Sequence, residues 1–153
     1  MSNSQQIETV QKLIQQEKFG VLSTLSLKDD GWPFGSATPY AISASGDPII
    51  LVSSLAEHTK NMMNDPRVSL FIQDTTTNAN PQSTARATLL GIVEAVNENE
   101  VEEAAQQYLS RFPKAAQNFQ MGGFSLQRIV MKQIRYIGGF GEMFWVNSIS
   151  RKS

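Results

Sequence analysis

The sequence predicts a mainly β chain with flanking helices, folded as a small barrel. Short runs of strand-forming residues recur along it, separated by turn clusters such as "KDDGWP" and "ASGDP". Only two or three segments carry helical spacing, and they do not alternate with the strands, which argues against a parallel α/β sheet. A length of 153 residues suits one domain, residues 1–153, with a substantial core.

Each element follows from its local pattern. Ile7, Val10, Leu13 and Ile14 fall on one helical face and predict a short amphipathic helix ending near "KFG". "GVLSTLSL" (20–27) predicts the first strand and "FGSATPYAIS" (34–43) the second, with Pro39 pointing to an edge or a bulge. "IILVS" (49–53) predicts a third strand, in a hairpin with the second. Ser54-Leu55-Ala56-Glu57 has the form of a capping box, so a helix is expected from there to Asn64, stopped by Asp65-Pro66. "VSLFI" (68–72) is the fourth strand. Residues 73–84 are polar and predict a mobile loop, of which 74–83 should tolerate deletion. "ARATLLGIVEAV" (85–96) predicts a long strand with a bulge at Gly91. A helix on Val101, Ala104, Ala105 and Tyr108 follows, then two strands, "FSLQRIVMK" and "RYIGGFGEMFWV".

Composition narrows the function. A net charge of −1 provides no basic field for nucleic acid or an acidic membrane. The absence of cysteine excludes disulfides, thiol catalysis and cysteine-ligated metals. No secretory pattern opens the chain and no apolar run approaches the ~18 residues of a membrane span, so a cytoplasmic protein is expected. "GGFG" (138–141) is not a dinucleotide fingerprint, and no Ser-His-Asp, HExxH or P-loop pattern occurs.

"SSLAEHTKNM" (53–62) holds His58, the only histidine. A helix start offers free N–H groups and a positive dipole end to an anion. Ser53, Ser54 and Thr59 add hydroxyls, and His58 and Lys60 add potential charge. The plainer alternative is an ordinary capped surface helix. Arg86 at a strand start is either an anion partner or an exposed strand-end arginine. Trp32, Phe144 and Trp145 either stack on a planar ligand or fill the core.

The motif order "GVLSTLS…GWPFGSATPY…GDPIILVSSLAEHTKNMMNDPRVSLFI…ARATLLG…RYIGGFG" resembles the pyridoxamine 5′-phosphate oxidase-like FMN-binding split barrels, nearest the HugZ-type haem-utilisation branch. The resemblance runs from about residue 7 to residue 146. It implies a split β-barrel with flanking helices, a homodimer with the flavin at the subunit interface, and FMN as cofactor, haem being the alternative. The strand that lies along the flavin ring in that family corresponds to Gly35, Ser36, Ala37, Thr38, Pro39 and Tyr40. The family's ring-flanking arginine and lysine fall on Gly35 and Tyr40, so only backbone contacts carry over. The phosphate-binding strand end and turn correspond to Ser53, Ser54 and His58 or Thr59. A flavin-contacting glutamine falls on Arg86, and Tyr136, Phe140 and Trp145 of the partner chain would cover the ring.

Departures shape the expected activity. The substrate-binding Arg-x-His of the true oxidases is Glu142-Met143-Phe144 here, which argues against pyridoxamine-phosphate oxidation. HugZ-type haem degraders carry a further C-terminal segment with a haem-ligating histidine, whereas this chain has no histidine after His58. The resemblance therefore implies a flavin-dependent oxidoreductase of unknown substrate first. Haem binding or degradation, and a flavin carrier or sensor without turnover, are the alternatives.

Overall fold

The computed structural model describes residues 1–77, 80–139 and 141–147. Eight antiparallel strands form one curled sheet: β1 (Phe19–Leu25), β2 (Pro33–Pro39), β3 (Ala41–Ile42), β4 (Pro48–Ser53), β5 (Arg67–Gln73), β6 (Arg86–Ala95), β7 (Phe124–Gly139) and β8 (Glu142–Asn147). Four helices flank it: α1 (Asn3–Gln16), α2 (Glu57–Asn64), α3 (Val101–Arg111) and α4 (Ala116–Gln120). None is long and apolar enough to cross a membrane.

The strand order is β2-β1-β5-β6-β7-β4-β3, with β8 pairing the second half of β7. The two outermost strands, β2 and β3, are joined by Tyr40 alone. Neighbours in sequence thus stand at opposite edges, so the sheet must curl back on itself into a barrel split along that seam. This corrects the expected second strand. Residues 34–43 do not form one strand in a hairpin with β4. Pro33–Pro39 pairs with β1, and only Ala41–Ile42 pairs with β4. The break follows from Pro39, which donates no ladder hydrogen bond, and from Tyr40, whose amide donates to the Lys18 carbonyl at 3.0 Å.

The expected bulge lies opposite Gly91, where the register shifts from Leu90↔Gln133 to Gly91↔Met131 and leaves Lys132 over. A Cβ on Gly91 would stand 2.6 Å from the Val130 carbonyl oxygen, a close approach only glycine allows. At the end of the chain the strand boundary differs from the expected one. "FSLQRIVMK" and "RYIGG" belong to a single strand, β7, which runs unbroken over 16 residues and pairs first with β4 and then with β8.

The barrel interior holds Leu22, Ile50, Val52, Leu70, Ile72, Leu89, Ile129 and Ile134, and α1 closes it with Val10, Leu13 and Ile14. A smaller cluster of Ala41, Ile49, Ala104, Tyr108 and Leu126 seats α3. The helix with a capping box is α1: the Ser2 hydroxyl accepts from the Gln5 amide while the Gln5 side chain accepts from the Ser2 amide.

The segment 73–84 is tied down at the residues described, contrary to the expected mobile loop. The buried Glu17 carboxylate accepts from the Thr75 amide at 3.2 Å and its hydroxyl at 2.8 Å. Gln73 donates to the Pro81 carbonyl and the Thr84 hydroxyl, each at 2.9 Å. Polarity in this sequence marks hydrogen bonding as much as solvation.

Candidate functional site

The site is built where α2 crosses the inward side of β1 and β2, next to the seam. Asn61 fixes the helix there. Its amide donates to the Thr24 hydroxyl at 3.0 Å, and its carbonyl accepts from the Leu27 amide at 2.9 Å. Asn61 is fully buried. Sequence reasoning passed over it, although a poor helix former in mid-helix facing the core is a readable signal.

The expected capping box at Ser54 is absent. The N-cap of α2 is Ala56, with no side-chain cap, because Ser53 and Ser54 are used in the turn before it. The Ser53 hydroxyl accepts from the Leu55 amide at 3.2 Å, and the Ser54 amide donates to the Gly123 carbonyl at 2.7 Å. The Thr59 and Lys60 amides donate to the Ala56 carbonyl, which leaves those of Glu57 and His58 without an acceptor among the described residues.

Two hydroxyls stand out. Thr59, 7% exposed, has a buried hydroxyl with no hydrogen-bond partner, and so does Ser36 on β2. A hydroxyl withdrawn from water without a partner costs roughly 1–3 kcal/mol on protein scales. Thr59 stands on α2 and Ser36 on β2, two elements that touch.

His58 is half-buried, and burial lowers its pKa from 6.5. Burial thus disfavours the imidazolium, and the neutral ring still offers an N–H. Lys60 is exposed.

On β2, Gly35 and Ala37 are exposed along the sheet edge and present backbone, while Thr38 is 4% exposed and donates to the Ser36 carbonyl at 3.2 Å. Tyr40 is fully buried and its hydroxyl donates to the Ile14 carbonyl at 2.5 Å. Burial pushes its pKa well above the ordinary 10.0. Its ring belongs to the core and cannot face a ligand. Arg86 is also occupied: one guanidinium nitrogen donates to the carbonyls of Pro81, Gln82 and Thr84 at 3.2, 2.8 and 3.1 Å, which caps the short turn before β6.

Trp145 stands apart from these residues. The register carries one outward row across six strands, Ala37–Val21–Phe71–Thr88–Arg135–Trp145. Five inter-strand steps are about 24 Å along the sheet. Trp145 is 52% exposed, with the Arg135 guanidinium 5.5 Å above its ring. Tyr136 is 6% exposed and stacks on Phe144 at 5.0 Å. Phe140 lies outside the described residues.

The chain is 36% identical over 138 residues to the chloroplastic heme oxygenase HOZ of Arabidopsis thaliana, covering 90% of this chain and 42% of that protein. It therefore spans less than half the length of that curated relative. A heme binding protein from Mycobacterium smegmatis superposes with a TM-score of 0.87 at 28% identity, over 96% of this chain and 58% of that one. A Clostridium acetobutylicum protein of the pyridoxinephosphate oxidase family superposes with a TM-score of 0.68 at 10% identity, over 96% of each chain. That last likeness is one of fold, the split barrel. Residues 2–152 match the family described as CREG, beta-barrel. This chain, a split barrel with its candidate site at the seam, belongs to the CREG beta-barrel family.

Proposed function

We propose that this chain binds a planar, anionic cofactor at the junction of β2 and α2, and that the cofactor is haem. The similarity to a heme oxygenase at 36% identity over 90% of the chain carries the choice of haem. The unpartnered hydroxyls of Ser36 and Thr59 carry the choice of place. Hydroxyl and amide donors suit a carboxylate as well as a phosphate. Ser36, Thr59 and the amides of Glu57 and His58 would hold the acidic end, with Ser53 and Ser54 shaping the turn. Bound haem supplies its iron and ring chemistry, and the protein supplies orientation and exclusion of water.

FMN as cofactor of an oxidoreductase, or of a flavin carrier or sensor, is the second reading. It rests on the resemblance of the β4–α2 turn to the oxidase phosphate site, and the same donors would serve it. The Glu142-Met143-Phe144 segment supports the absence of pyridoxamine-phosphate oxidation in either case.

We propose further that the working form is a homodimer joined through the outward sheet face. Phe19, Val21, Leu90, Met143 and Trp145 lie on that face and are 36–60% exposed. Leaving these side chains in water forgoes about 25 cal/mol per Å² of burial, and a second copy would cover them. Light scattering at micromolar concentration should give twice 16.9 kDa, and a value near 16.9 kDa would overturn the dimer.

Titration of the purified protein with haemin and, separately, FMN tests the cofactor. A saturable shift of the Soret band at one haem per chain is expected. Saturation by FMN alone would replace haem with flavin, and no spectral change with either would overturn both readings.

A further inference from the structure

We infer that Phe34 and Trp32 form the platform on which the ring of the cofactor rests, an inference that depends on the cofactor reading of the β2–α2 junction. The β1–β2 register pairs Leu22 with Ser36 and Thr24 with Phe34. The Ser26 amide donates to the Trp32 carbonyl at 2.9 Å, which extends the same pairing to the hairpin tip. Leu22, Thr24 and Ser26 are 0%, 1% and 8% exposed, so the even-numbered side of this hairpin faces inward. Thr38, Ser36, Phe34 and Trp32 share that side, each about 6.8 Å from the next.

Along this row the cover runs out. Thr38 is 4% exposed and the Ser36 hydroxyl is buried, but Phe34 is 38% exposed and Trp32 73%. Neither ring belongs to the packed clusters of the interior. Two bare aromatic rings thus continue the strand face that carries an unpartnered hydroxyl. The helix bearing the second such hydroxyl is fastened, through Asn61, to the Thr24 that pairs with Phe34. A ligand anchored by its acid group at Ser36 and Thr59 would lay its ring along Phe34 toward Trp32. This ranks planar conjugated acids above compact anions as ligands.

Haemin and FMN titrations of the native protein, Trp32→Leu and Phe34→Leu test it. Each substitution should weaken binding about three- to tenfold, the worth of one aromatic stacking contact. Contact readouts should move with it: quenching of bound FMN emission, or the induced Soret dichroism of bound haem, should largely vanish in Trp32→Leu. Trp145→Phe leaves Trp32 as the sole tryptophan, and its quenching should persist. Trp32 is mostly exposed, so its variant tests the platform with the fold intact. Native-like affinity and unchanged contact signals in both leucine variants would overturn the platform while the cofactor reading stands. A native protein that binds neither ligand would overturn the two together.

Discussion

The two ends of β2 are built on opposite terms. At the Tyr40 end polar groups are matched to partners. The Tyr40 hydroxyl donates to Ile14, the Arg111 guanidinium donates to the carbonyls of Gln15, Glu17 and Tyr40 at 2.7, 3.0 and 2.9 Å, and the Glu17 carboxylate accepts from Thr75 and Gln16. The Arg111 guanidinium also lies 5.4 Å above the Tyr40 ring. One hub thereby joins α1, the β2–β3 break, α3 and the segment after β5. At the Phe34 end, hydroxyls are buried without partners and aromatic rings lie open. A satisfied network stabilises the fold, whereas unmet donors cost stability. The strand is anchored at one end so that the other can stay unfilled.

The largest test attacks the anchor. Arg111→Ala should lower stability by about 3 kcal/mol, since three carbonyls lose a charged donor and Tyr40 loses its cation. Urea unfolding measures this, and a change near zero would show the hub to be ornamental. Glu17→Ala should cost about 2 kcal/mol by freeing the Thr75 segment, and deletions within residues 74–83 that remove Thr75 should lower the melting temperature as well. Retention of the native midpoint would restore the mobile loop that the composition suggested.

Thr59→Val sharpens the contrast from the other side. Removing a buried hydroxyl without a partner should leave stability equal or raise it by up to about 1 kcal/mol, while weakening haemin about tenfold. Loss of stability would mean that the hydroxyl already has a partner.

The smallest effect concerns His58. Burial lowers its pKa below 6.5, so on acidification the unfolded chain takes up the proton first. Stability should therefore fall modestly as the pH drops through 6.5 toward the lowered value, and His58→Ala should flatten that slope. The same substitution should weaken the cofactor by only about three- to tenfold, as expected for a neutral donor, and equally at pH 8 and pH 7. Tightening of the cofactor on acidification in the native protein alone would show that a cationic imidazole does bind.

Much of the candidate site was legible because it lies in one continuous stretch. Ser53, Ser54, His58 and Thr59 sit within seven residues, and β-rich patterning plus the motif order placed them before a helix. The capping assignment failed because α2 begins at Glu57 with Ala56 as its N-cap, which leaves Ser53 and Ser54 in the turn before it, where the Ser54 amide is held by Gly123, about 70 residues away along the chain. The side-chain environments of Tyr40 and Arg86 were not legible for the same kind of reason. Their side chains answer to Ile14 and to a short turn, neither of which a local pattern reveals.

The sequence by itself determined the β-rich class, the edge position announced by Pro39, the bulge at Gly91 and the short helix that stops before Asp65-Pro66, because each depends on residues within a few positions of one another. Tertiary structure decided where the second strand breaks and which hydroxyls end without partners. Those outcomes depend on a sheet that curls until its first and last strands meet, and on hydrogen bonds whose partners are distant in the chain.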